Sequence, residues 1–173
     1  EVRALVNYDE VDESSGDYNK AVHINWIDSI LTKPIAPDLG EENDEVYGTD
    51  PVEIINDWVT LAEDGYLTLR FRTVWGGQKK HFVNLLLGQD PENPYEVEFR
   101  HNAYGDVYGT TDDGLVAFKL DGLPDTEGKT VKLKLKWKSF SGEKSAEFDY
   151  CTRKSVTPSN PEAAAVRSNL KLE

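Results

Sequence analysis

Hydrophobic residues alternate with polar ones along most of this chain, with the period of a β-strand. Leu67, Leu69, Phe71 and Trp75 fall on one side of a run whose other side carries Thr68, Arg70 and Arg72. Val131, Leu133, Leu135 and Trp137 alternate with Lys132, Lys134, Lys136 and Lys138, and Val97 and Phe99 with Glu96, Glu98 and Arg100. Such alternation means one buried and one wet face, the habit of antiparallel sheets. It predicts strands over Val52–Ala62, Tyr66–Trp75, His81–Leu87, Tyr95–His101, Leu115–Leu120, Thr130–Lys138 and Ser145–Cys151. Turn signals punctuate them: Glu63-Asp64-Gly65, Gly76-Gly77, Asp113-Gly114, Glu127-Gly128 and Ser141-Gly142. Seven short strands at this spacing predict an all-β fold, an immunoglobulin-like antiparallel β-sandwich over 52–153, with a partly open barrel as the alternative.

Upstream, Val2–Tyr8 and Lys20–Leu31 also read as strands, joined by a polar turn-rich stretch. On the second, Val22, Ile24 and Trp26 share one face and His23 and Asn25 the other. Two strands cannot build a core alone, so 1–33 reads as the end of a smaller β-domain, with further chain expected before Glu1. Thr32–Pro51 holds Pro34, Pro37 and Pro51 and six acidic residues between Asp38 and Asp50. That composition predicts a connector over 34–51, and not a sheet strand. Residues 154–173, with Pro158, Pro161 and a short Ala run, read as a tail or short helix.

Charge narrows the function classes. The formal net charge is −13, from 32 acidic against 19 basic residues. Such a surface repels nucleic acid and anionic membranes alike, and no run approaches the ~20 apolar residues of a spanning helix. Cys151 is the one cysteine, which removes intrachain disulfides and cysteine-based zinc sites.

The runs Val22-His23-Ile24 and Asp28-Ser29-Ile30-Leu31-Thr32-Lys33 are followed by Asp50-Pro51-Val52 with Asp57-Trp58. Then come Tyr66 to Phe71, His81-Phe82-Val83-Asn84-Leu85 and Glu98-Phe99-Arg100-His101-Asn102-Ala103. Together they resemble the NigD-like proteins of Gram-negative anaerobes, the piece from Phe99 to Ala103 being the most specific. The resemblance implies an OB-like N-terminal domain, of which 1–33 is the remnant, ahead of the sandwich. It also implies a signal peptide and lipid-anchor cysteine upstream, a periplasmic or cell-surface location, and a link to bacteriocin production or immunity. No catalytic residues come with it.

Candidate chemistry is sparse. His23, His81 and His101 lie far apart in sequence without His or Cys partners at ligand spacing, and read as packed or surface histidines. No Gly-x-Ser-x-Gly elbow occurs, and no metal or cofactor is expected. The acidic connector lacks the spacing of an EF-hand and reads as a solvated linker. Four lysines on one strand read as an edge guarded against pairing, as partners of acids such as Glu147 and Asp149, or as a stripe for an acidic partner. Trp26, Trp58 and Trp137 read as core, and Trp75 as partly exposed.

The best functional candidate is 101–114, read as a long loop rich in Tyr, Asn, Asp and Gly. Loops on a rigid sandwich carry binding, and aromatic rings with adaptable polar groups suit it. Tyr104, Asp106, Tyr108 and Asp112 are the expected ligand-binding residues. The structural alternative is a loop in which Asn102 and Asp106 satisfy their own turns. The chain thus reads as a non-catalytic module whose partner is an envelope protein, or a glycan as the alternative.

Overall fold

The computed structural model describes residues 2–13 and 15–153. The expected tail or helix at 154–173 lies outside the described residues. The elements are β1 (Ala4–Val11), β2 (Ala21–Ser29), β3 (Leu31–Pro34), α1 (Asn43–Tyr47), β4 (Glu53–Ile54), β5 (Leu61–Glu63), β6 (Tyr66–Trp75), β7 (Phe82–Leu87), β8 (Glu96–Asn102), β9 (Thr110–Lys119), β10 (Val131–Ser139) and β11 (Gly142–Tyr150). One sheet runs β3-β9-β6-β4 with β5 also on β6, and the other runs β11-β10-β8-β7. The expected all-β sandwich is the observed fold. Two pairings inside it, β3 with β9 and β8 with β10, are parallel.

The core lies between the sheets, where the period-2 pattern places it. Leu67, Leu69, Phe71, Val116 and Phe118 from one sheet meet Leu85, Val97, Phe99, Leu133 and Leu135 from the other, all buried. At roughly 25 cal/mol per Å² of apolar surface removed from water, these inward faces supply most of the drive to fold. Phe99 packs edge-on against Phe118, ring centroids 6.1 Å apart, across the layer.

Several expectations need correction. The stretch 32–51 is not a free connector. Its start forms β3, whose proline comes last on an edge strand, where no donor is needed. The chain then crosses β7, where the Ala36 amide donates to the Leu85 carbonyl at 2.8 Å. Next it lays α1 over the outer face of β7 and β8, with Tyr47 buried. Gly48 has φ +77°, and a Cβ there would meet the His101 carbonyl oxygen and Asn102 at about 2.5 Å, so the strap presses directly on β8.

Val52–Ala62 is two short strands, β4 and β5, with a turn between them. Trp58 sits on that turn and is 79% exposed, so it is not core. Trp26 is not core either. Asn7 pairs with Trp26 but Tyr8 pairs with Ile24, so Asn25 is an extra residue that bulges β2. The bulge shifts the alternation by one and puts Trp26 on the face opposite Ile24. Of the three predicted core tryptophans only Trp137 is buried.

The lysine row is not on an edge, because β10 lies between β8 and β11. Acids on neighbouring strands pair with Lys132, Lys134 and Lys136. Lys132 lies 2.6 Å from Asp149, and Lys134 and Lys136 lie 2.9 and 3.6 Å from the buried Glu96.

Candidate functional site

The loop joining β8 to β9 is short and tightly held. The predicted loop 101–114 shrinks at both ends, since β8 runs to Asn102 and β9 starts at Thr110. Asn102 fulfils the structural expectation, its Oδ1 accepting the Tyr104 amide at 2.9 Å. Asp106 does not cap its own turn. Its side chain is 3% exposed, and its Oδ2 accepts the amides of Gln78 and Lys79 at 3.2 and 3.4 Å, stapling the loop to the β6–β7 turn. A Cβ on Gly76 would collide with the Asp106 carboxylate, and one on Gly109 with the Trp75 carbonyl. Glycine at both places lets the two backbones touch.

Below the staple lies a histidine pair. His81 Nδ1 and His101 Nε2 are 2.9 Å apart, and His81 Nε2 is 3.5 Å from Asp106 Oδ2. With the His81 ring proton on Nε2, that N–H faces the Asp106 carboxylate at 3.5 Å. His81 Nδ1 then accepts from His101 Nε2–H, which leaves His101 Nδ1 as a bare lone pair. That atom is buried and has no partner among the described residues. A second proton on His101 would be buried and unpaired, which costs free energy. Burial, and then electrostatic repulsion from the His81 ring, push His101 down to about 4, against a smaller upward pull from Asp50. Burial alone would raise the Asp106 carboxyl; the amides of Lys79 and Gln78 and the His81 ring outweigh it and hold it below its ordinary value. The Trp75 ring stacks on His81, centroids 4.0 Å apart, and its Nε1–H donates to the Asp112 carbonyl at 3.0 Å.

On this base the loop presents aromatic rings to solvent. Tyr108 is 87% exposed, Tyr104 48%, and Val107 stands between them. Tyr104 sits at φ +51°, in the left-handed region that costs a side-chain-bearing residue about 1 kcal/mol or more. Lys79 Nζ donates to the Tyr104 carbonyl at 2.5 Å.

Of the four expected ligand residues the structure brings Tyr104 and Tyr108 to one loop surface and uses Asp106 as its buried anchor. Asp112 is elsewhere: it lies on β9, paired with Thr73 of β6, because the strand starts earlier than its polar sequence suggests. Sequence reasoning missed Trp75, His81 and His101 as the loop's support. Only the Gly76-Gly77 turn signal pointed at the contact.

A larger cleft of about 520 Å³ opens on the outer face of β8 and β10, lined by Asp44, Glu98, Arg100, Lys136 and Lys138 among others. Its charges largely neutralise one another. Arg100 lies 2.6 Å from Asp44 and 2.9 Å from Glu98, so a ligand there must first break these pairs. The acidic strap is committed too, with Asp38 accepting from Gly40, Asn43 and Gln89. No group of three or more metal-ligating side chains stands at binding distance among the described residues, and no helix among them is long and apolar enough to cross a membrane.

Comparison with known proteins places this architecture among relatives. The NigD-like C-terminal beta sandwich domain matches residues 34–150, and the NigD-like N-terminal OB domain matches residues 1–30. A crystal structure from Parabacteroides distasonis, described as a toxin-related protein, is 39% identical with a TM-score of 0.78, covering 98% of this chain and 79% of that one. A protein of unknown function from Bacteroides vulgatus shares the fold at 24% identity and TM-score 0.69, covering 94% and 77%. A NigD-like immunity protein from Bacteroides caccae shares it at 21% identity and TM-score 0.61, covering 87% and 76%. No curated protein matches.

Proposed function

The chain belongs to the NigD-like family, and from that premise we propose that it is a non-catalytic, protein-binding module of the bacterial envelope whose recognition element is the loop 103–109. The observation that carries this is the contrast within the loop. Asp106 is buried and stapled to the β6–β7 turn above a histidine pair, while Tyr104 and Tyr108 on either side face solvent. A loop ordered in advance loses little entropy on binding. Tyrosine supplies large contact area with few rotors to freeze. A glycine would hold φ +51° at position 104 at lower backbone cost, so the ring there is spent on something outside the fold. Tyr108 stands out from the surface instead of lining a cleft, which suits insertion into a partner's concavity.

The relatives from Bacteroides and Parabacteroides, one named an immunity protein and one described as toxin-related, support a place in a bacteriocin or immunity system. The module works in the periplasm or at the cell surface, held by a lipid anchor outside this sequence. Its partner is an envelope or bacteriocin protein.

The test is recovery of partners from detergent-solubilised envelope, with the full chain as bait. One protein should be recovered by the wild type, and its affinity should fall at least ~10-fold for Tyr108→Ala and further for the Tyr104→Ala/Tyr108→Ala pair. Both rings are exposed, so folding stability should stay within about 0.5 kcal/mol for Tyr108→Ala. Equal recovery by wild type and double variant would remove the loop from the binding surface.

A further inference from the structure

A second feature is independent of that loop. Between the β1–β2 hairpin and the sandwich runs a crevice of about 380 Å³, lined by Trp26 and Val6 on the hairpin and by Trp58, Leu61, Glu63 and Thr68 on the sandwich, with Arg3 at its edge. Two tryptophans line it while remaining 49% and 79% exposed. Each is placed by a specific device. The Asn25 bulge puts Trp26 on the face opposite Ile24, where it lines the crevice.

Trp58 rides on a turn pinned from several sides. Asp57 Oδ1 accepts the Val59 and Thr60 amides at 3.0 and 3.3 Å, and its Oδ2 takes Arg70 Nη1 at 2.8 Å. Thr60 Oγ1 donates to the Ile55 carbonyl at 2.6 Å and accepts the Arg70 amide at 3.1 Å. Arg70 is in turn fixed by Asp113, which also holds Arg72. Much polar structure therefore orders a turn whose tip is a solvent-facing indole, the residue type most enriched where binding energy concentrates.

We infer that this crevice is a saccharide-binding site, with Trp58 as the stacking platform, Trp26 as the second apolar wall and the Arg3–Glu63 pair as the hydrogen-bonding rim. The chemistry selects the ligand class. A pyranose has an apolar C–H face that lies on an indole and a rim of hydroxyls that both donate and accept. Arg3 and Glu63 are ion-paired here and supply donors and acceptors side by side. Thr68, buried on the same lining, keeps a hydroxyl without a hydrogen-bond partner among the described residues. A wholly apolar ligand would desolvate the ion pair without compensation. A nucleotide would bring phosphates to a chain of net charge −13 and to Glu63 itself. A crevice of this volume falls in the range of small-molecule sites.

The test is a titration of the isotope-labelled full chain with cellobiose, maltose, chitobiose and N-acetyllactosamine, followed through the indole N–H signals of the four tryptophans. At least one sugar should move the Trp26 and Trp58 signals and leave that of buried Trp137 in place. Trp58→Ala should weaken this binding at least ~10-fold with an unchanged melting temperature, Trp58→Phe should restore part of it, and Tyr108→Ala should have no effect. Absence of any shift at Trp26 and Trp58 with all four sugars overturns the proposal, as does binding that survives both Trp26→Ala and Trp58→Ala. Loss of sugar binding in Tyr108→Ala alone also overturns it and moves the sugar to the loop. Because the two sites share no residue, failure of the protein-binding reading leaves this result independent.

Discussion

Acidification from about pH 6.5 to about pH 4 is expected to remove about 3 kcal/mol of folding stability, because His101 is held near 4 in the fold and titrates near 6.5 in the open chain. In that window the unfolded chain binds a proton that the folded one refuses, so stability falls as pH falls. Above the window the group contributes no slope, and below about 4 both states are protonated and its contribution levels off. The groups facing His101 are His81, at 2.9 Å, and Asp50, whose amide donates to the His101 carbonyl. The carboxylates act lower. Asp106 is held below its ordinary value and Asp113 to about 2, chiefly by Arg72. Their stabilisation is present above the unfolded carboxylate range and is lost as pH drops through their folded values. Urea melts across this range should therefore show two stages. His101→Gln should flatten the upper stage and leave the lower one. An upper stage of undiminished slope in that variant would assign it to some other group. With total stabilities of 5–15 kcal/mol typical of single domains, about 3 kcal/mol is enough to loosen the loop well before global unfolding.

Asp106→Ala is expected to lower the melting temperature on the order of 10 °C and to release the loop more than the sandwich. The substitution strips the acceptor from the Gln78 and Lys79 amides and removes the carboxylate facing His81. Burying donors without partners costs more than the bonds themselves contribute. The damage is local, since this carboxylate faces His81, which leads to the core through His101 and Phe71 in turn. Amide exchange at Gln78 and Lys79 should quicken by roughly 100-fold, while that of Leu133 and Leu135 on β10 should follow only the global loss. Asp106→Asn keeps one acceptor oxygen and should show a smaller drop. Unchanged protection at residues 78 and 79 in the alanine variant would mean that the staple does not hold the turn. Partner binding by Tyr104 and Tyr108 should weaken in Asp106→Ala in proportion to the loosening, since preorganisation is what the anchor contributes.

Much of this molecule is legible in its alternation. Leu67, Leu69 and Phe71 on β6 and Leu133, Leu135 and Trp137 on β10 are buried where the period-2 pattern puts them, because successive side chains of a pleated strand point to opposite faces and this set meets the other sheet. Glu63-Asp64-Gly65 and Ser141-Gly142 marked hairpins, whereas Asp113-Gly114, expected as a turn, lies within β9, and the Tyr-rich loop could be singled out by composition alone. Its rings are exposed as that composition suggests.

What the chain could not show locally was decided by neighbours. One extra residue, Asn25, inverted the face of Trp26, and a bulge leaves no mark in a pattern of alternating polarity. The break at residues 55–60 made a turn of what reads as strand, and exposed Trp58. The proline-rich strap became β3 and α1 because β9 and the back of β7 offered an edge and a face to cover. Lys134 and Lys136 found Glu96 on a parallel strand that no hairpin rule would place beside them. His81 and His101 stand 20 positions apart in sequence and 2.9 Å apart in space. Periodicity reports which way a side chain points from its own strand. Which strand lies alongside, and in what register, is set by the free energy of packing the whole, and the anchor of the 103–109 loop belongs to that second kind of information.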